Sequence, residues 1–243
     1  MAVYNNHKTV YVEITKNAST SIRRVLEGND NAMTDHPTYK MLYDMEIANG
    51  NTAIDTYFKF ITVRNPYDRF CSAYEYMQKQ HVMNWMKTFD QHIEFLMDRY
   101  ARANGQPITV VDSNGNVLPE KAVRALDGQL QYWWDDAPLF CWPQHAFVEV
   151  NGVSQVPNWY KVEEIDTAWP TIRAMILQKN PAANLPETLP VHNDQANRLP
   201  WQSYFTGENG QQRLDAINDL YAKDFQVYNY NMYGTVGDIP AAE

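Results

Sequence analysis

Near the start of the chain Val10, Val12 and Ile14 alternate with Thr9, Tyr11 and Glu13. This period-2 pattern, rich in β-branched and aromatic residues, predicts a strand. Small polar residues follow, and Ser21-Ile22-Arg23-Arg24-Val25-Leu26 then switches to helical apolar spacing, with Gly28 suited to the position just past the helix end. A second helix is predicted over Tyr39 to Ala48, with Met41, Leu42, Met45 and Ile47 apolar and Asn49-Gly50 as its stop. The run Tyr57-Phe58-Lys59-Phe60-Ile61-Thr62-Val63 predicts the next strand. It breaks at Arg64-Asn65-Pro66, and a helix begins near Tyr67 and continues through Gln80. Two strand–loop–helix units separated by a helix imply a parallel α/β sheet.

Farther along, Thr88 to Ala103 reads as a helix, and Ile108 to Leu118 as a small hairpin around Asp112-Ser113-Asn114-Gly115-Asn116. Pro119 opens a helix to about Trp133. Ala146 to Val150 and Trp159 to Val162 are candidate strands, Asp166 to Gln178 and Gln211 to Tyr221 candidate helices, and residues 180–200 a Pro-rich loop. No repeat and no long linker divides the chain. The expectation is one domain over residues 1–243, with 104–118 as a surface hairpin insertion.

Composition narrows the classes. The 243 residues are 44% hydrophobic and 20% charged, as in a soluble globular protein with a real core. A formal net charge of −9 argues against a nucleic-acid binder working through a broad basic face, though a local basic pocket for a small anion remains open. Two cysteines, Cys71 inside a predicted helix and Cys141, make no disulfide framework and point to a reducing compartment. The first eight residues hold no apolar signal core, and no apolar run approaches a membrane span. The chain therefore reads as soluble and intracellular.

Candidate chemistry sits where the strands end. Between the first strand and first helix lie Thr15-Lys16-Asn17-Ala18-Ser19-Thr20-Ser21. Strand, tight polar loop and helix N-terminus make an anion site, because first-turn N–H groups lack intrahelical partners and the helix dipole adds positive charge. Lys16 can join those donors, and Ser19, Thr20 and Ser21 can add hydroxyls. The alternative is an ordinary turn whose Ser and Thr residues cap the helix. The nucleotide pattern G-x-x-x-x-G-K-[ST] is absent. At the second strand end, Arg64 leaves the carboxyl edge where open α/β sheets bind ligands, and Arg69 and Ser72 share a helix face. Arg64 and Ser72 can converge on one phosphate; otherwise Arg64 makes an ion pair and Ser72 packs a helix.

Lys16-Asn17-Ala18-Ser19-Thr20-Ser21 after a strand resembles the 5′-phosphosulfate loop of sulfotransferases that use 3′-phosphoadenosine 5′-phosphosulfate (PAPS). Val63-Arg64-Asn65-Pro66-Tyr67-Asp68-Arg69 through Ser72-Ala73-Tyr74 resembles their 3′-phosphate motif, in the same order. The likeness is closest to the carbohydrate (heparan, chondroitin, dermatan) type. Weaker similarities at Trp142-Pro143-Gln144, Tyr160 to Ile165, His192-Asn193 and Leu220 to Phe225 extend it over about residues 8–230. The family usually has Pro where Thr15 stands, and Gly or Ala where Asn17-Ala18 stand; Asn17 tolerates a left-handed backbone, so the turn stays feasible.

The resemblance implies a P-loop NTPase-like three-layer α/β fold, with a central parallel sheet flanked by helices. It implies PAPS as donor, adenosine 3′,5′-bisphosphate (PAP) as product, an acceptor hydroxyl on a carbohydrate or small molecule, and no metal. Lys16 would neutralise charge on the bridging oxygen, residues 16–21 would hold the 5′-phosphate and sulfonate, and Arg64 and Ser72 would hold the 3′-phosphate. Related carbohydrate enzymes place a base histidine between the two motifs, and here His36 alone lies there. A helix-capping histidine is the other reading of His36. Glu13 is the second candidate base, with His145 and His192 weaker ones, and Glu163 is expected to brace the site. Trp133, Trp134, Trp142 and Trp159 could stack on a sugar or simply pack. Because eukaryotic relatives are usually Golgi-anchored, a cytoplasmic enzyme of bacterial or viral origin is expected. A non-catalytic PAPS/PAP-binding sensor or scaffold is the alternative from another class, and a P-loop kinase a third reading. The acceptor and the oligomeric state stay open.

Overall fold

The computed structural model describes residues 3–27, 36–80, 88–94, 97, 142–190 and 198–242. The expected hairpin at 104–118, the helix from Pro119, the end of the first helix at Gly28, and Trp133, Trp134, Cys141 and His192 lie outside the described residues. The chain divides into two compact units, Met1–Arg64 with Ala146–Ala196, and Asn65–His145 with Asn197–Glu243.

The first unit is a mixed α/β assembly around a four-stranded sheet. Its strands are β1 (Val3–Tyr4), β2 (Thr9–Tyr11), β3 (Phe58–Val63) and β6 (Asn158–Lys161), in the order β1-β2-β3-β6. β2 pairs parallel with β3, and β3 parallel with β6, while β1 is antiparallel to β2. The expected parallel sheet is thus the core of a mixed one. Helix α1 (Ser19–Glu27) and helix α2 (Tyr39–Ala48) fall between β2 and β3, and α4 (Ile165–Lys179) follows β6. Tyr11, Phe58 and Phe60 form one core with Ile22 and Leu26 of α1 and with Trp169, Ile172 and Ile176 of α4. Spacings of four, and of three and seven, put those residues on one stripe of each helix.

One strand expectation changes, and both sets of the alternation at residues 9–14 prove buried: Thr9, Tyr11 and Glu13 as fully as Val10, Val12 and Ile14. An interior parallel strand is covered on both sides, so its polar members must find internal partners. The run Ala146–Val150 does not join the main sheet. Gln144–Phe147 is a 3-10 turn, and among the described residues β4 (Glu149–Val150) pairs only with β5 (Val153–Ser154). Asn151 and Gly152, at φ of 51° and 77°, are the central pair of that hairpin, a turn built for left-handed residues.

The second unit is helical in its described parts. It holds α3 (Pro66–Gln80), a helical segment at 89–94 and α5 (Gly210–Val227), which is kinked at Tyr221. Asn65 Oδ1 accepts the Tyr67 N–H at 3.0 Å, and Pro66 occupies the first helical position, the pairing of cap and proline that starts a helix well. The Tyr67 ring lies 5.0 Å from that of Trp201 and 4.8 Å from that of Phe225, and its hydroxyl donates to Asn218 Oδ1. Arg198 joins Asp68 and Glu75 in the same unit, with Nη1 2.6 Å from Asp68 Oδ1 and Nε 2.9 Å from Glu75 Oε2.

Candidate functional site

The loop between β2 and α1 occupies the carboxyl edge of the parallel strands. Lys16 and Ala18 both take left-handed backbone, with φ of 65° and 57°. Asn17, which tolerates that backbone, does not take it; its two neighbours do. Each non-glycine residue held there costs about 1–2 kcal/mol, so surrounding bonds must over-determine the turn. They do. Arg64 Nη1 donates to the Lys16 carbonyl at 3.2 Å, Thr62 Oγ1 to the Asn17 carbonyl at 2.6 Å, and Ser21 N to the Ala18 carbonyl at 3.1 Å. Asn17 Nδ2 in turn donates to the Thr62 carbonyl at 2.8 Å. Peptides are planar and trans, so C=O and the next N–H point oppositely. The Lys16 and Asn17 carbonyls face Arg64 and Thr62, so the N–H groups of Asn17 and Ala18, on the opposite edges of those peptides, face away from those two side chains. Alternating backbone handedness with successive N–H groups at a helix N-terminus is the geometry of an anion-binding nest. Lys16, Ala18 and Thr20 are half-buried, while Asn17, Ser19 and Ser21 are buried.

His36 is brought to the strand that feeds this loop, its Nδ1 lying 3.1 Å from the Glu13 carbonyl oxygen. A carbonyl only accepts, so Nδ1 carries a proton, and whenever the ring is neutral the lone pair lies on Nε2. The backbone at His36 is left-handed, with φ of 41°. The Glu13 carboxylate is 4% exposed and serves as a structural partner: Tyr4 donates to Oε1 at 3.1 Å and Arg23 Nη1 to Oε2 at 3.3 Å. Burial pushes the Glu13 carboxyl up to about 7, against the opposing pull of the Arg23 guanidinium and the Tyr4 hydroxyl.

The folded Glu13 carboxyl binds a proton more tightly than the unfolded one, so its contribution is full below the unfolded value of 4.5 and fades as pH rises through about 7. Thermal unfolding across that window is expected to show a loss on the order of 1–3 kcal/mol toward alkaline pH. Glu13→Gln is expected to flatten this dependence; an unchanged pH slope in that variant would refute the role given to Glu13.

In the second unit, Ser72 lies on α3 at 4% exposure, and Arg69 at 1% donates from Nη1 to the Trp142 carbonyl at 2.6 Å. Arg69 is thus committed to the backbone. Buried Asp224 gathers three donors, Gln144 N at 2.6 Å, His145 N at 2.9 Å and His145 Nδ1 at 2.7 Å. In the first unit Trp159 is 37% exposed. Among the described residues there is no group of three His, Cys, Asp or Glu residues able to hold a metal ion, and no helix long and apolar enough to cross a membrane.

The residues missed in the sequence are those beneath the loop. Thr62 sits inside the apolar run Phe60-Ile61-Thr62-Val63, and Tyr11 reads as one half of an alternation. The one available signal was that a hydroxyl in a strand covered on both faces needs a partner.

Residues 1–114 match the model of the Sulfotransferase family. The matched stretch is just under half of the 243-residue chain and contains Lys16 to Ser21, His36, Arg64 and Ser72. No curated protein and no solved structure matches the chain. The family match supports transfer of a sulfuryl group as the class of activity for this chain.

Proposed function

We propose that the protein transfers the sulfuryl group of PAPS to an acceptor hydroxyl, on a carbohydrate, by in-line displacement. The observation that carries this reading is the turn at Lys16–Ala18, whose left-handed residues and engaged carbonyls leave the Asn17 and Ala18 N–H groups facing away from Thr62 and Arg64, next to a lysine. The sulfotransferase-family match over the same residues supports it.

In this reading the loop N–H groups and the hydroxyls of Ser19, Thr20 and Ser21 hold the 5′-phosphate and sulfonate oxygens. The S–O bond to the 5′-phosphate breaks as the acceptor oxygen attacks sulfur, and Lys16 stabilises the charge left on the bridging oxygen. His36 takes the acceptor's proton at Nε2, its Nδ1–H held by the Glu13 carbonyl. Arg64 is assigned to the 3′-phosphate, with one nitrogen already committed to the Lys16 carbonyl; Ser72 receives the same assignment from the sequence motif alone. No step requires a metal.

The test uses the purified chain. Adenosine 3′,5′-bisphosphate is expected to raise the unfolding temperature, with roughly 2.7 kcal/mol of stabilisation at a hundredfold excess over its dissociation constant. Adenosine 5′-phosphate is expected to have little effect. Equal stabilisation by both would remove Arg64 and Ser72 from the 3′-phosphate. Radiolabelled PAPS offered with glycans, lipids and small alcohols then identifies the acceptor; binding without transfer to any of them would favour a sensor or scaffold.

A further inference from the structure

Beneath the loop lies a chain of hydrogen bonds that the proposed chemistry does not itself use. Tyr11 Oη and Thr62 Oγ1 are 2.7 Å apart, and both side chains are fully buried. Thr62 Oγ1 has a single proton, and at 2.6 Å it is given to the Asn17 carbonyl, which can only accept. Tyr11 must therefore be the donor to Thr62. Burial raises the Tyr11 phenol far above its ordinary value, so it keeps its proton at any working pH. The phenol is held in place by its ring, stacked 4.8 Å from that of Phe60. The direction of the chain is fixed: Tyr11 O–H to Thr62 O–H to Asn17 C=O. Each donor polarises the next, which strengthens the terminal bond.

The terminal bond fixes a functional direction. The Asn17 carbonyl belongs to the same peptide as the Ala18 N–H, and Ala18 is one of the two strained left-handed residues. Rotation of that peptide would turn the N–H away from the side on which the proposed donor's anion would sit. Asn17 Nδ2 closes the arrangement by bonding back to the Thr62 carbonyl at 2.8 Å, so two bonds tie Asn17 to Thr62.

We infer that Thr62 is a positioning residue for the donor loop, aiming the Asn17–Ala18 peptide at the 5′-phosphosulfate, with Tyr11 acting through it. The inference deepens the donor reading of residues 16–21 and rests on it. Thr62→Val keeps the shape and β-branching of the side chain and removes only the hydroxyl. Thr62→Ser keeps the hydroxyl. Tyr11→Phe removes the phenolic oxygen and keeps the ring.

The experiment measures the dissociation constants of PAPS and adenosine 3′,5′-bisphosphate by calorimetry, beside thermal unfolding of each variant. Thr62→Val is expected to weaken both ligands about tenfold, and Thr62→Ser to restore them to within about twofold. Tyr11→Phe is expected to weaken binding about threefold, and the double variant Tyr11→Phe/Thr62→Val to bind no worse than Thr62→Val alone. A purely structural role would lower the unfolding temperature without this rescue or this non-additivity. Wild-type protein that binds neither ligand overturns the donor reading, and the inference with it. Wild-type protein that binds both, while Thr62→Val binds as tightly, overturns the inference alone. If Thr62→Val does not fold, the decision passes to Tyr11→Phe, whose unchanged affinity overturns the inference and whose weakened affinity, with folding intact, supports it.

Discussion

Lys16→Ala is expected to lower the rate of sulfuryl transfer by roughly 10²–10³-fold, the usual cost of removing one group that stabilises transition-state charge. Folding is expected to survive. Lys16 is half-buried, and its φ of 65° is a backbone that the alanine at position 18 already adopts, at 57°. The strain is the same for either side chain, because both carry a Cβ. The loss should therefore appear in single-turnover transfer from labelled PAPS and not in the unfolding temperature. Lys16→Arg is expected to recover only part of the rate, since a planar fork does not replace a compact ammonium on one oxygen. Transfer at the wild-type rate by Lys16→Ala would remove the lysine from the reaction.

The second large effect concerns His36. His36→Asn is the informative change, because asparagine tolerates the left-handed backbone found there, at φ of 41°. Its side-chain amide can replace the Nδ1–H donated to the Glu13 carbonyl, but it cannot accept a proton as a base. The turnover number is expected to fall roughly 10²–10⁴-fold, with affinity for adenosine 3′,5′-bisphosphate unchanged. A base acts only when deprotonated, so wild-type turnover should rise with pH along an acid limb, and that limb should vanish in the variant. If His36→Asn keeps both rate and limb, the proton goes elsewhere. Glu13 is a poor substitute, with both carboxylate oxygens engaged by Tyr4 and Arg23.

How much of this could be read beforehand differs by element. Helix α2 forms over Tyr39–Ala48 as its apolar spacing predicts, and α3 begins at Pro66 behind an Asn cap. Both signals are local: a periodicity, a cap, a proline at a position where its missing N–H costs nothing. The run at 146–150 shows the limit, because its apolar and β-branched residues suit a strand, yet among the described residues it pairs with no main-sheet strand and forms only the short β4–β5 hairpin. Pairing partners are nonlocal, and a single run of residues does not carry them.

The same division holds in the candidate site. By itself the sequence determined that a strand ends at a lysine and three hydroxyl residues before a helix, that Arg64 ends a second strand, and that His36 falls between the two. Those are facts of order and spacing, which periodicity and helix-start signals expose. Long-range contacts settle which residues of the turn are left-handed, namely Lys16 and Ala18. The parallel register of β2 with β3 brings Thr62 under Asn17 and Arg64 beside Lys16, across separations of 45 and 48 residues. Hydrogen bonds of that reach fix which way each peptide faces, and the direction of those N–H groups is what separates an anion site from an ordinary helix cap.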